Sequence, residues 1–223
     1  MAVPEHCRPS AYDEFLRRLG GIDSTEGLVA AAAAIAMHEL EEVEPEAVLE
    51  EVRSYARRVR DRIQGASVQS ILAHLHAVLF DEEGFRGNAE RYYDPGNSYF
   101  PVVLERKLGI PISLTLLYKA VGEQLGLQIE GVGAPGHFLA RVQTDNGPML
   151  VDSFFSGQVL TRDEAVARIE SIIGAPVEPD ADPLPAVSHT AWLERMLGNL
   201  LGVFSQAGRK RDLAAMLELR ALL

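Results

Sequence analysis

His137 and Asp152 are the two residues whose types and spacing could do chemistry together. A carboxylate that holds one imidazole nitrogen leaves the other free to take a proton, which is the second half of a nucleophile, His and Asp triad. The same pair also reads as a structural hydrogen bond. They flank the turn Thr144-Asp145-Asn146-Gly147 and fall one or two residues out of direct register across a hairpin, a gap that a bulge or a wider loop closes. The missing member is a nucleophile on an electropositive mount, and a helix N-terminus supplies one through its dipole and free N–H groups. Ser113 stands at the start of an apolar segment, with Thr115 close behind. Serine and threonine also serve as helix caps, so the hydroxyl has two readings. If Ser113 attacks, with His137 as general base and Asp152 orienting it, the protein is a hydrolase or acyltransferase. If it caps, the pair lines a recognition groove.

A second group is the turn-rich stretch from Phe85 to Asn97, where Gly, Asn, Asp and Pro replace the helical pattern. Within it and just beyond, Arg86, Asn88, Tyr93, Asp94, Asn97 and Ser98 are placed to line a cleft, and Asn97 either donates to an oxyanion or braces the loop. His38-Glu39 opens like a zinc-protease motif, but Glu42 stands where the second His is required, so it reads as a solvated acidic face. His74 and His76, two apart on a helix, point to different faces. Cys7 is the sole cysteine, which excludes an intrachain disulfide and a cysteine-based zinc site. Nothing in the sequence calls for a metal or an organic cofactor.

These candidates need elements to hold them. Residues 11–80 carry apolar positions at helical steps, with Ser24 or Thr25 as a cap, Pro45 in a first turn, and Val48, Val52, Tyr55, Ala56 and Val59 as one stripe. A further helix runs from Val68 towards Gly84. The segment from about Ser113 to Leu125 is apolar nearly all round, the mark of a helix at the centre of a domain. The period then switches to two, placing His137 on a strand that alternates with Phe138, Ala140 and Val142, followed by a strand from Met149 to Phe155. Thr161 with Glu164 forms a capping box for a helix to Ile173. Residues 174–188 are rich in proline and read as a linker, and 189–223 form a helical hairpin about Gly208 that must dock to bury its apolar faces.

Composition sets the surroundings. The protein has 223 residues, 47% hydrophobic, and a net charge of −11. That charge repels phosphate backbones and anionic membrane faces, so neither a nucleic acid nor a membrane surface is expected as a partner. The arginines between 53 and 62 alternate with acidic residues at helical spacing and form a salt-bridged face. The longest apolar run, Leu28 to Met37, spans about 15 Å, half of a bilayer core. With two early prolines in place of an export signal and one cysteine, the expected compartment is the cytoplasm.

The motifs Phe80 to Asn88, Tyr92-Tyr93-Asp94-Pro95, Asn97-Ser98-Tyr99, Val103 to Arg106, Gly109 to Leu114, Pro135-Gly136-His137-Phe138-Leu139 and Val151-Asp152 occur in one order over residues 80–157. In this run the sequence resembles the SirB-type branch of transglutaminase-like proteins, with residues 189–223 similar to the tetratricopeptide-like tail of that branch. The resemblance implies an α+β, papain-like core in which a central helix packs on a small antiparallel sheet, helices precede it, and a helical hairpin follows. Residues 1–80 would belong to the main domain and 81–173 would form the core. It also implies a Cys at the start of the central helix facing a His and an Asp. His137 and Asp152 match. Pro111-Ile112-Ser113 holds no Cys. The expectation is therefore a transglutaminase-like protein without its thiol nucleophile, working as a protein- or peptide-binding module, with Pro135 and the loop residues named above as part of its groove.

Overall fold

The computed structural model describes residues 3–63, 65, 67–178 and 182–223. Its first elements are helices: α1 (Pro9–Leu19), α2 (Thr25–Ala36), α3 (Pro45–Arg60) and α4 (Val68–His76). Ser24 starts α2 by accepting the Gly27 N–H at 3.0 Å. Nine consecutive residues of α2, Leu28–Ala36, are buried, because alanine lets helices approach on every side. After α4 the backbone widens into a π-helical turn, Ala77–Glu82. A two-residue strand β1 (Arg86–Gly87) then pairs in parallel with β2 (Leu108–Gly109), and α5 (Phe100–Arg106) lies between them.

Helix α6 (Pro111–Gln124) occupies the centre, with twelve of its fourteen residues buried. It starts two residues earlier than the sequence suggests, because Pro111 takes the first helical position, where its fixed φ fits and its missing N–H costs nothing. Four strands follow in antiparallel order: β3 (Ile129–Val132), β4 (Leu139–Thr144), β5 (Gly147–Asp152) and β6 (Gln158–Leu160). The turn between β4 and β5 is the expected one, with Thr144 opposite Gly147. Alternation along the strands sends Ala140, Val142 and Val151 into the main core with α6, and Leu139, Leu150 and Leu160 into a second cluster. Helix α7 (Arg162–Ile173) closes that cluster with Ala165 and Ile169. Thr161 and Glu164 exchange the capping-box bonds at its start.

The proline-rich stretch departs from the linker expectation. Residues 179–181 lie outside the described residues, but Val132 forms a bridge with Ala186, Gly133 donates to the Pro185 carbonyl and Val187 donates to the Gly131 carbonyl. Leu184 is buried in the second cluster. The open edge of β3 takes this segment as cover, and prolines are tolerated on such an edge.

The last two helices, α8 (His189–Gln206) and α9 (Lys210–Arg220), turn at Gly208, whose φ of +68° suits glycine. Trp192, Leu193, Met196, Leu197, Leu200 and Phe204 bury one face of α8 in the main core. Polar ties complete the docking. Glu218 accepts the backbone N–H groups of Glu5, His6 and Cys7. His38 is not on a solvated face: it is 7% exposed, accepts the Arg8 N–H and meets Asp212 at 3.0 Å, while its neighbour Glu39 accepts from Tyr99 and Arg209. Sequence spacing could not show this, because the partners of His38 and Glu39 arrive from remote parts of the sequence.

Candidate functional site

Asp152 ends β5 and is fully buried. One carboxylate oxygen caps the short 3-10 turn Ser153–Phe155, accepting the N–H groups of Phe154 at 3.1 Å and Phe155 at 3.4 Å. The other accepts from His137 Nε2 at 2.8 Å and from an Arg168 guanidinium nitrogen at 2.7 Å. Burial opposes ionisation of Asp152, but the hydrogen bond and charge of His137 and the Arg168 guanidinium outweigh it and hold the carboxyl below its usual range. An ionised carboxylate only accepts, so Nε2 of His137 carries the proton and Nδ1 is the acceptor in the neutral ring. Among the described residues Nδ1 has no hydrogen-bond partner, and His137 faces a pocket.

His137 is not on a strand. It sits two residues before β4, in a turn where its N–H donates to the Ala134 carbonyl at 3.3 Å and Gly136 takes φ +66°. This turn supplies the offset that brings an imidazole two residues out of register onto Asp152. Pro135 lies in the same turn, exposed, and does not line the pocket, whereas Gly136 does.

Ser113 does not complete a triad. Its hydroxyl is fully buried; it donates to the Asn97 carbonyl at 2.7 Å, accepts the Ile110 N–H at 3.1 Å and lies 3.0 Å from the Ile110 carbonyl. It occupies the third position of α6 and ties the helix start to the preceding loop. Thr115 is also fully buried, 3.5 Å from the Phe138 carbonyl. The residues that the start of α6 does present to the pocket are Ile110, Pro111 and Ile112, which carry no nucleophile. Cys7 does not substitute. It is 3% exposed and outside the pocket, and burial, with the nearby Glu218 charge, pushes its thiol up to about 12.

The loop residues divide. Tyr93 is 65% exposed and lines the pocket. Asn97 braces: its amide donates to the carbonyls of Arg91 and Tyr92, and its oxygen accepts from Asn88, so neither proton is left for an oxyanion. Asn88 also accepts the Arg91 N–H. Ser98 is buried behind the loop and Arg86 folds back towards the Gly84 carbonyl, and neither reaches the pocket.

The pocket has a volume of about 630 Å³, within the range of small-ligand sites. Tyr92, Tyr93, Phe154 and Phe155 form aromatic walls, Ile172 of α7 adds an apolar rim, and Arg195 and Asn199 of α8 supply the polar side. Arg195 donates to the carbonyls of Ala134 and His137 at 2.9 and 3.0 Å, and its guanidinium lies 5.2 Å from the Phe138 ring centre. Among the described residues it pairs with no carboxylate, and burial pulls its pKa below the ordinary arginine value. Sequence reasoning missed Arg195, Arg168 and the Phe154–Phe155 wall. Only the four-residue step between Arg195 and Asn199, which puts both on one helix face, hinted at a shared role.

Among the described residues no cluster of His, Cys, Asp and Glu could hold a metal, and no helix is long and apolar enough to cross a membrane.

Known proteins match across this region. The profile of the transglutaminase-like superfamily fits residues 46–198, a span that includes α6, the sheet, the His–Asp pair and the first half of α8. A protein of Xylella fastidiosa named UPF0162 protein is 35% identical over 191 residues, which amounts to 84% of this protein and 68% of that one. F-box only protein 21 of Mus musculus is 38% identical over 146 residues, 62% of this protein but 22% of its own length. A UPF0162 protein of Vibrio cholerae is 27% identical over 142 residues, 64% of this protein and 51% of that one. No solved structure matches. With a buried central helix, an antiparallel sheet, a His–Asp pair beside the helix start and a profile that runs through all three, the chain belongs to the transglutaminase-like superfamily.

Proposed function

We propose that the protein is a non-catalytic protein- or peptide-binding module, its groove the pocket beside His137 and Asp152. The observation that carries this reading is the composition of the helix start: Ile110, Pro111 and Ile112 face the pocket where the reaction would need a nucleophile, while the Ser113 hydroxyl is consumed by backbone bonds and the Thr115 hydroxyl is buried. The walls support it too. Tyr92, Tyr93, Phe155 and Ile172 are large apolar side chains left between 37% and 65% exposed around one cavity, the composition of a recognition surface. The rival assignment, a Ser113–His137–Asp152 hydrolase or acyltransferase, requires Ser113 to break its hydrogen bonds to Asn97 and Ile110 and leave its buried position. We further read the protein as SirB-type and the α8–α9 hairpin as tetratricopeptide-like. We place its work in the cytoplasm, on the single thiol that leaves no disulfide to form within the molecule.

The test is an NMR titration of the protein with the capped peptide acetyl-Ala-Phe-Leu-Ala-amide, followed by mass analysis of the peptide. The expected result is concentration-dependent shifts of the Gly136, His137, Phe154 and Phe155 amides and a peptide of unchanged mass. Hydrolysis of the peptide, or absence of shifts at those amides both with it and with the same peptide bearing a free C-terminal carboxylate, would overturn the reading.

A further inference from the structure

The pocket is unlike the rest of the surface in charge. The protein has 32 acidic residues and a net charge of −11, yet among the described residues no Asp or Glu lines this cavity. Its one fixed cation among them is Arg195. Three other arginines near the sheet and the tail meet carboxylates: Arg168 with Asp152, Arg141 with Glu130, Arg209 with Glu39 and Asp212. Among the described residues Arg195 has only carbonyl oxygens, both on one of its terminal nitrogens, and its guanidinium carbon lies 5.2 Å from the Phe138 ring centre. A half-buried guanidinium without a counter-ion is costly to the folded state unless a ligand anion completes it.

Two further donors share the site. Asn199, four residues on, lies on the same face of α8 and lines the same pocket. Helix α6 opens on the pocket with its N-terminal end, and its first intrahelical bond is that of Leu114 to the Ile110 carbonyl, which leaves the amide of Ile112, a residue that lines the pocket, at the positive end of the dipole. With one fixed positive charge, whose hydrogen bonds among the described residues engage a single terminal nitrogen, the site suits a singly charged anion held by charge and by the remaining N–H groups. Doubly charged phosphate would be left half-compensated.

We propose that the groove recognises a carboxylate flanked by an apolar side chain, with Arg195 as the specificity-determining residue. This rests on the binding reading above and names its ligand chemistry. The carboxylate can be the C-terminus of a peptide or an Asp or Glu side group, and the apolar neighbour packs against Tyr93, Phe154 and Phe155.

Three probes separate the possibilities: acetyl-Ala-Phe-Leu with a free C-terminal carboxylate, its C-terminal amide, and acetyl-Ala-Phe-Glu-amide, each titrated by NMR against the native protein, Arg195→Gln and Arg195→Lys. One or both acidic probes should bind about ten- to a hundredfold more tightly than the neutral amide, and whichever binds identifies the source of the carboxylate. Arg195→Gln should abolish that preference, and Arg195→Lys should retain part of it. Because the readout is a ratio of affinities within one variant, partial destabilisation does not mimic the effect. Equal binding of acid and amide at the pocket, or a preference that survives Arg195→Gln, would overturn this inference while leaving the binding reading intact. Absence of shifts at the pocket amides with all three probes would overturn both.

Discussion

Asp152→Asn is the substitution that asks most of the site, because four donors converge on one buried carboxylate. Asparagine keeps the size but offers one acceptor oxygen and two amide protons. Its oxygen can retain the Phe154 and Phe155 N–H bonds, which leaves the new NH2 group against the His137 Nε2 proton and Arg168. A charge-assisted hydrogen bond contributes about 1.5–3 kcal/mol, and removing one member of a buried ion pair costs about 3–5 kcal/mol. Two effects reduce that. The Arg168 side chain is 21% exposed and can rotate into water. His137 can move its proton to Nδ1, so that Nε2 accepts from the amide. The expected loss is therefore about 2–4 kcal/mol, read by urea denaturation at pH 7, with a fall in Tm of roughly 4–16 °C for a protein of this size. Nitrogen-15 NMR should show the His137 proton on Nε2 in the native protein and on Nδ1 in the variant. A stability change below about 0.5 kcal/mol, the ordinary size for surface substitutions, would refute the claim that Asp152 holds this corner together.

Acid should act through the same carboxyl. Because its folded pKa is lowered, the stability it contributes is complete above the unfolded value of about 3.9 and is lost as pH falls through the folded value, so the gap between the native protein and Asp152→Asn should narrow between about pH 5 and pH 2. Cys7, buried and with its thiol pushed up to about 12, should fail to react with dithionitrobenzoate in the folded protein and react fully in urea. Gly131→Ala should cost about 1–3 kcal/mol, since a Cβ there collides with the Trp192 ring and comes within 2.9 Å of Phe138; fluorescence of Trp192, the sole tryptophan, should report the displacement.

What the sequence revealed, and what it hid, follows from the range of the forces involved. Caps and periods are local, so Ser24 at the start of α2, the Thr161–Glu164 capping box and the turn at Thr144 to Gly147 were all visible. His137 and Asp152 were visible as a pair because they flank a single hairpin, although the turn at Ala134 to His137 that closes the offset was not. Ser113 was ambiguous from sequence alone: proline at the first position of α6 pushes it to the third, where its hydroxyl turns back on Asn97 and Ile110. Arg195 was hidden for another reason. It reaches the pocket from 58 residues away in sequence, on a helix whose apolar stripe announces docking but says nothing of where its polar face will point. The stretch 174–188 misled because proline content signals the absence of a helix, and that is equally true of cover on a sheet edge.

If the groove only binds, the start of α6 attacks nothing. The direct measurement is intact mass of the protein after exposure to a serine-directed fluorophosphonate, run beside Ser113→Ala with its fold checked by its melting curve. No adduct is expected on either protein; a single adduct on the native form that vanishes in the variant would contradict the non-catalytic reading.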